Sequence, residues 1–485
     1  MQKIKNYING ELLAPINDNY LDNFEPATGK IYSLIPESDQ DDLELAVKAA
    51  EQAQKDWADM SSENRSILLM KLADAIENAS DELARAEAID NGKPISAARA
   101  VDCYRSAANI RFFANTATQF SSECHDMGAV GVNYTLRQPI GIVGCISPWN
   151  LPLYLFTWKI APALASGNCV IGKPSEITPM TAYIFSRLCI EVGMPKGVIN
   201  ILHGTGNSIG APLVAHKKIK AISFTGGSST GRAIATTMAP MLKKYSLELG
   251  GKNPTLIFAD SCNSESDLNK TVNEVVRSTF SNQGQICLCG SRIYIEKSIY
   301  TEFKTVFLEK VKQLKIGDPL DETIQFSALV SKQHQDKVYS YIELAKQEGG
   351  TILTGGNKLA PEGRCADGYF IEPTVIEGLD SNCRVNQEEI FGPVCTIQPF
   401  ETQEQALQLA NGTEYGLAVS IWSQNISRCH QLSTQLDFGI VWINSWLLRD
   451  LRTPFGGMKS SGMGREGGLE GMRFFTEPKN ICVKY

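Results

Sequence analysis

Histidine is scarce in this chain, five in 485 residues, and no group of His and Cys has zinc-site spacing, so no metal centre is expected. Positive charge is also short. Lys and Arg number 46 against 53 Asp and Glu, a net charge of −7, and the basic clusters (Lys217-Lys218-Ile219-Lys220, Lys243-Lys244) are brief. Such a balance leaves no electrostatic footprint for nucleic acid or an anionic membrane. Long apolar runs are missing too: the most apolar stretch, Leu151 to Ile171, is broken by Pro152, Lys159, Pro162 and Asn168, which argues against a membrane span. Met1-Gln2-Lys3-Ile4-Lys5-Asn6 lacks the apolar region of a secretory signal. Thirteen cysteines, an odd number spread from Cys103 to Cys482, do not resemble a disulfide framework. These absences point to a reduced, soluble, cytoplasmic protein.

What is present is ordinary globular composition, 43% apolar with 40 Gly and 21 Pro, on a chain long enough for two or more packed units. Turn signals at Asn9-Gly10 and Pro26-Ala27-Thr28-Gly29 suggest short strands or hairpins at the start. Ala46, Val47, Ala50, Ala53 and Trp57 share a helical face, as do Leu68, Leu69, Leu72 and Ile76. Beyond residue 138, strand-like runs (140–146, 169–172, 198–202, 221–224, 255–258) alternate with helix-like segments (178–192, 208–216, 230–241). A second series has helices over 268–280, 298–314, 332–347 and 402–411, with strands near 291–295, 375–376 and 417–422. The alternation predicts an α/β fold with two parallel-sheet units in succession.

Three constellations carry chemistry. In Gln283-Gly284-Gln285-Ile286-Cys287-Leu288-Cys289 a cysteine follows a glycine turn, where a thiolate could be a covalent nucleophile or a thiol merely structural. Leu247-Glu248-Leu249-Gly250-Gly251-Lys252 sets a carboxylate between leucines, whose desolvation raises a carboxyl pKa as a general base requires; pairing with Lys252 is the plainer alternative. Ser147-Pro148-Trp149-Asn150-Leu151-Pro152 follows a strand and holds an amide between prolines, an oxyanion donor or a turn residue.

With Lys173-Pro174-Ser175-Glu176, Phe224-Thr225-Gly226, Glu388-Glu389-Ile390-Phe391-Gly392-Pro393 and Pro454-Phe455-Gly456-Gly457 in order behind them, the chain resembles the aldehyde dehydrogenase superfamily over essentially its whole length. The resemblance implies a variant Rossmann NAD-binding domain (1–116 and 139–250), an α/β catalytic domain (251–467) and a small β oligomerisation extension (117–138 and 468–485), assembled as a homodimer or homotetramer. It implies Cys287 as nucleophile, Glu248 as general base and Asn150 as oxyanion donor, with Cys289 a bystander and free acid as product.

The cofactor implied is NAD. Gly204-Thr205-Gly206-Asn207-Ser208-Ile209-Gly210 is one residue too long for a clean G-x-G-x-x-G. By resemblance Lys173 and Glu176 meet the adenosine ribose, Gly226 and Gly227 begin the helix that faces the pyrophosphate, and Glu389 holds the nicotinamide ribose with Phe391 beside it. Ser147, Trp149, Ser175, Gly206, Phe224, Thr225 and Leu249 are the further cofactor-binding residues that it implies. A carboxylate at Glu176 favours NAD over NADP, unless it is simply a helix N-terminal acid. Gly227 departs from the Ser of many relatives and loses a hydroxyl donor.

On the substrate side, relatives acting on fatty or aromatic aldehydes are usually apolar where this chain has Arg449, and a second arginine, Arg105, lies on a helix the family places beside the tunnel. An arginine there invites a carboxylate. With Tyr154, Trp158 and Phe455 as further walls, the pattern resembles the branch that oxidises 2-aminomuconate and 2-hydroxymuconate semialdehydes. The competing expectations are ion pairs of Arg105 with Asp102 or Arg449 with Asp450. Betaine or aromatic aldehydes on the faces of Trp158 and Trp446 are another option, as are succinate-type semialdehydes. A non-enzymatic role for the scaffold is opposed by the intact Cys287, Glu248 and Asn150.

Overall fold

Four short runs rich in Val and Ile, Ile142–Ile146, Cys169–Lys173, Ile199–Ile201 and Ile219–Thr225, and a fifth strand, Lys244–Glu248, pair in parallel at the centre of an eight-stranded sheet. Asn6–Ile8 and Glu11–Leu13 complete one edge and Gly462–Met463 the other, all antiparallel. The computed structural model describes residues 1–485.

The parallel part of this sheet begins at Ile142–Ile146 and winds outward through Cys169–Lys173 to Ile199–Ile201. It then crosses back to lay Ile219–Thr225 on the other side of Ile142–Ile146, followed by Lys244–Glu248. The winding direction therefore reverses between Ile142–Ile146 and Ile219–Thr225, and a doubly wound sheet leaves its ligand crevice at the carboxyl ends of such a pair. Ser147 and Thr225 stand at those two ends.

The apolar run after Asn150 is the helix Pro152–Ala165, opened by proline at its first position and buried at every residue. Phe156 packs so tightly on the sheet that a Cβ at Gly172 would meet its ring at 2.5 Å. Burial, rather than a bilayer, accounts for this composition; no helix is long and apolar enough to cross a membrane. The helix Gln40–Asp59 starts in an Asp39 capping box and buries Ala46, Val47, Ala50 and Trp57 on the face that periodicity indicates.

A second, seven-stranded sheet runs Thr351–Thr354, Thr374–Glu377, Val394–Phe400, Gly290–Glu296, Asn253–Ile257, Ala418–Trp422, Ile440–Ile443, parallel except for the first. Cys287 lies just ahead of Gly290–Glu296, facing the carboxyl ends of the first sheet. A third sheet of Cys124–Asp126, Gly131–Pro139 and Thr476–Lys484 projects with mostly exposed residues. The intervening helix Gly468–Phe474 lies against Pro152–Ala165, with Gly471 beside Phe113 and Pro162.

Most elements begin and end within three residues of the sequence expectation. One does not follow it. The segment expected as a helix over 208–216 opens as a π-helical turn, Gly206–Gly210, before a short α-helix, Ala211–Ala215. A capping box between Thr205 and Ser208 fixes the start of that turn.

Candidate active site

The crevice at the switch point is a cleft of about 570 Å³, with Lys173, Ser175, Glu176 and Gly206 toward one side and Ser147, Trp149, Phe224, Thr225, Gly226 and Gly227 toward the sheet. It continues past Trp149 and Thr225 into a chamber of about 230 Å³ lined by Asn150, Leu249, Cys287, Glu389 and Phe391. Every residue expected at the dinucleotide lines one of these two cavities, whose sizes suit a cofactor.

The lining fits a dinucleotide on its own terms. The helix Ser228–Met238 starts at the cleft with Gly227 as its cap and no side chain on its first N–H groups, a ready anion site. Ser147 Oγ and Thr225 Oγ1 are buried without hydrogen-bond partners, and nothing lies within 4 Å of where a Cβ would stand on Gly206 or Gly227. Lys173 Nζ donates to Glu176 Oε2 at 3.1 Å. Glu176 sits in a turn ahead of the helix Met180–Glu191, so the helix-terminus alternative for this acid does not hold. Glu389 Oε1 accepts from the Gly251 N–H at 2.8 Å. Its carboxyl is raised, chiefly by burial.

The loop before Cys287 is held by unusual backbone. Asn282, Gln283 and Gly284 are left-handed in succession (φ 50°, 56° and 69°), a conformation that persists only where surroundings impose it. Gln283 Nε2 donates to the carbonyls of Gly92 (3.0 Å) and Ala328 (2.9 Å), and Gln285 Oε1 accepts from Val330 N–H at 3.1 Å. At Gly284 a Cβ would strike the Gly392 carbonyl at 2.2 Å. The Gln-Gly-Gln spacing is thus a brace that carries Cys287 to the chamber. Asn253 Nδ2 steadies the far side by donating to the Cys287 carbonyl at 2.6 Å and the Cys289 carbonyl at 3.0 Å. Cys289 itself is buried and turned toward the Ser281 carbonyl. Burial raises the Cys287 thiol, helped by the negative charges of Glu389 and Glu248 and opposed by Arg449.

Glu248 is 3% exposed and neither carboxylate oxygen has a partner, so the Lys252 pairing is not formed. Burial first, then Glu466, holds its carboxyl well above the ordinary range. Glu466 accepts from Lys159 Nζ at 2.6 Å and Ser223 Oγ at 2.9 Å. Lys252 is buried separately, and burial draws its ammonium down to about 7. Asn150 Nδ2 donates one hydrogen to the Gln285 carbonyl at 2.9 Å, leaving its second free, while the Asn150 carbonyl accepts from Asn282 Nδ2 at 2.9 Å.

Beside Cys287 an apolar cluster of Leu151, Tyr154, Trp446 and Phe455 receives the two arginines. Arg449 Nη1 donates to the Tyr154 hydroxyl at 3.0 Å, with its guanidinium over the rings of Trp158 (4.3 Å) and Phe455 (4.1 Å). Arg105 lies over the Tyr154 ring at 5.3 Å. Neither takes the expected acid: Asp102 is held by Lys93 at 3.0 Å and Asp450 by Arg452 at 2.6 Å. The Nε and Nη2 atoms of both arginines are buried with no partner. The aromatic faces offered to a quaternary ammonium are already covered, Trp158 by Arg449 and Trp446 by Arg277 at 5.0 Å.

Sequence reasoning misses several residues here. His334 packs edge-on to Trp149 at 4.9 Å and its Nε2 meets the Phe391 carbonyl at 2.7 Å; burial lowers its pKa to about 4, so it is neutral. His334 and Lys337 sit on a helix whose pattern signals only a helix. Lys159, Glu466 and Lys93 are brought in by pairings that no local motif encodes.

The chain matches the family model described as "Aldehyde dehydrogenase family" over residues 14–481. It is 47% identical to the 2-aminomuconic semialdehyde dehydrogenase of Danio rerio, over 99% of this chain and 98% of that one. It is 44% identical to the 2-hydroxymuconic semialdehyde dehydrogenase of Pseudomonas sp. (strain CF600), with both chains fully covered. The NAD+ complex of aldehyde dehydrogenase from Bacillus cereus superposes with a TM-score of 0.96 at 37% identity, covering 100% of this chain and 97% of that one. A doubly wound sheet, a braced cysteine, an isolated buried carboxyl and these likenesses agree: the chain belongs to the aldehyde dehydrogenase family.

Proposed function

We propose that this enzyme oxidises a carboxylate-bearing, unsaturated semialdehyde of the 2-aminomuconate or 2-hydroxymuconate kind to the free acid, with NAD as cofactor. One observation carries the substrate: two arginines converge on Tyr154 in an apolar pocket with four buried N–H-bearing nitrogens unsatisfied. Unpaired guanidinium groups in such a place are stabilised by an anion they can grip in two-point fashion. Relatives named for muconic semialdehydes agree with that chemistry. A betaine aldehyde is disfavoured, because its cation would face guanidinium groups where it needs bare rings.

NAD, when bound, supplies the hydride acceptor, and Glu176 beside the ribose end favours it over NADP. The Cys287 thiolate adds to the aldehyde carbon, and the oxyanion accepts from the second N–H of Asn150 and the backbone N–H of Cys287. One such donor is worth roughly 3–4 kcal/mol of barrier. Once the carbon-bound hydrogen has left with its electron pair, the acyl group is a thioester on Cys287. Glu248 takes a proton from water as its oxygen attacks the acyl carbon. The acid departs and the thiolate is restored.

The nine-residue edge strand Thr476–Lys484, exposed along most of its length, is suited to pairing with a second copy, which supports a homodimer or homotetramer. Thirteen free cysteines support a cytoplasmic setting.

The test compares Arg449→Ala with the parent on an acid semialdehyde and on hexanal. The kcat/KM for the acid should fall about 10- to 100-fold, with hexanal nearly unaffected; an equal loss on both removes the carboxylate-reading role.

A further inference from the structure

Outside the two cavities, a lysine is buried with two acids beneath the Asn150 loop. Lys93 Nζ donates to Glu87 Oε1 at 3.1 Å, to Asp102 Oδ1 at 3.0 Å and to the Asn150 carbonyl at 3.1 Å. The side chains of Lys93 and Glu87 are 1% exposed and that of Asp102 3%. An ammonium has three hydrogens, and here each has its own acceptor. Burial alone would discharge Lys93, but Asp102 and Glu87 outweigh it and hold the ammonium above its usual value. Burial raises the carboxyls of both Glu87 and Asp102, and the Lys93 ammonium between them opposes that rise in each.

The two ends of this cluster matter. One is the main chain of Asn150, whose side chain faces Cys287 across the chamber. The other is Asp102, inside the six-residue π-helical stretch Ala98–Cys103 that runs directly into the helix Tyr104–Ala117 carrying Arg105. Such insertions are unfavourable and cluster at functional sites. Deleting one residue from the stretch would turn Arg105 about 100° around its helix and away from Tyr154. Asp102 therefore anchors the element that aims Arg105, and the same ammonium anchors the loop that aims Asn150.

We propose that Lys93 is a positioning residue that, through Asp102 and the Asn150 carbonyl, locks the oxyanion donor and the carboxylate-reading arginine into one register. The proposal rests on reading Asn150 as the oxyanion donor. Lys93 touches neither substrate nor cofactor; it sets where the groups that do so stand.

The experiment is a double-mutant cycle on the rate of the first-turnover NADH burst, with Lys93→Met, Asn150→Ala and both together. NAD affinity is measured on each as a check of folding, since Lys93 lines no part of the cleft. Lys93→Met should slow the burst about tenfold in the parent and less than twofold in the Asn150→Ala background. It should also raise KM for an acid semialdehyde at least fivefold more than for hexanal. Asp102→Asn, which keeps shape and loses charge, should give the same pattern and serves if Lys93→Met does not fold. An unchanged burst in folded Lys93→Met and Asp102→Asn overturns the link, as does equal slowing in both backgrounds, which marks a role in stability only. An Asn150→Ala enzyme with a full burst overturns the proposal at its root, by removing the oxyanion reading rather than the connection to Lys93.

Discussion

The cleft that leads to Cys287 and the side-chain cluster on its other side are built by opposite means. The larger cleft is made chiefly of strand ends, a bare helix start and glycines that leave room, with Lys173, Ser175 and Glu176 as polar side chains on one side. The substrate side is made of long side chains, Arg105, Arg449, Tyr154 and Trp158, that fold over one another. A main-chain site is fixed by topology and tolerates most side-chain changes. A side-chain site is rewritten by one substitution. Substitutions in the side-chain cluster are therefore expected to alter aldehyde choice more readily than substitutions in the cleft alter the cofactor, Glu176 excepted.

The sharpest way to break the comparison is at Glu248, which serves both sides of the junction. Glu248→Gln should cut steady-state turnover by roughly 10²- to 10⁴-fold while a stopped-flow burst of NADH survives. Burial holds back deprotonation of both Cys287 and Glu248, so parent turnover should climb as pH rises and each group loses its proton. In Glu248→Gln the burst should keep only the thiol's dependence. Loss of burst and thioester together would mean that Glu248 is needed before acyl transfer.

A smaller effect is expected at Arg105. Arg105→Leu should lower kcat/KM for the acid semialdehyde about tenfold. Combined with Arg449→Ala, the loss should be less than the product of the two, because both act on Tyr154 and one carboxylate. Multiplicative losses would separate the arginines into two sites.

The smallest change belongs to the cleft. Gly227 has φ −68°, ordinary for any residue, and open space beside it. Gly227→Ser should fold normally and tighten NAD by about 3- to 10-fold through one added hydroxyl donor, as read by calorimetry. Weaker binding would show that this cleft, too, depends on side-chain detail.

Much of this was legible in the sequence, for a definite reason. Cys287, Glu248 and Asn150 are each ambiguous alone, but they stand at strand ends or braced turns whose requirements are local: Gly284 for a left-handed turn, Gly250-Gly251 after a strand, prolines around Asn150. Local requirements leave local motifs. The pocket's arginines were visible only because the family places their segments together; nothing near Arg105 in the chain reports that it will lie over Tyr154. The strands Val394–Phe400, Ile440–Ile443 and Gly462–Met463 were not among those expected, although Gly392-Pro393 and Gly439 stand ahead of the first two as turn signals. Lys159 and Glu466 stand 307 positions apart, and Lys93 reads as an ordinary charged residue between Gly92 and Pro94. Their meaning arises only when burial forces each charge to find a partner.

The segment from Ile443 to Phe455 has a consequence for how such enzymes diversify. Arg449 reaches the pocket from an irregular stretch whose neighbour Leu448 is 77% exposed, whereas Tyr154 and Trp158 ride on a helix with no free face. The stretch is tied down at two points: buried Trp446 donates from Nε1 to the Leu288 carbonyl at 2.9 Å, and the Leu448 carbonyl accepts from Trp442 Nε1 at 2.8 Å. A side-chain exchange at Arg449 can therefore retune the pocket, whereas an insertion would pull on the loop that carries Cys287.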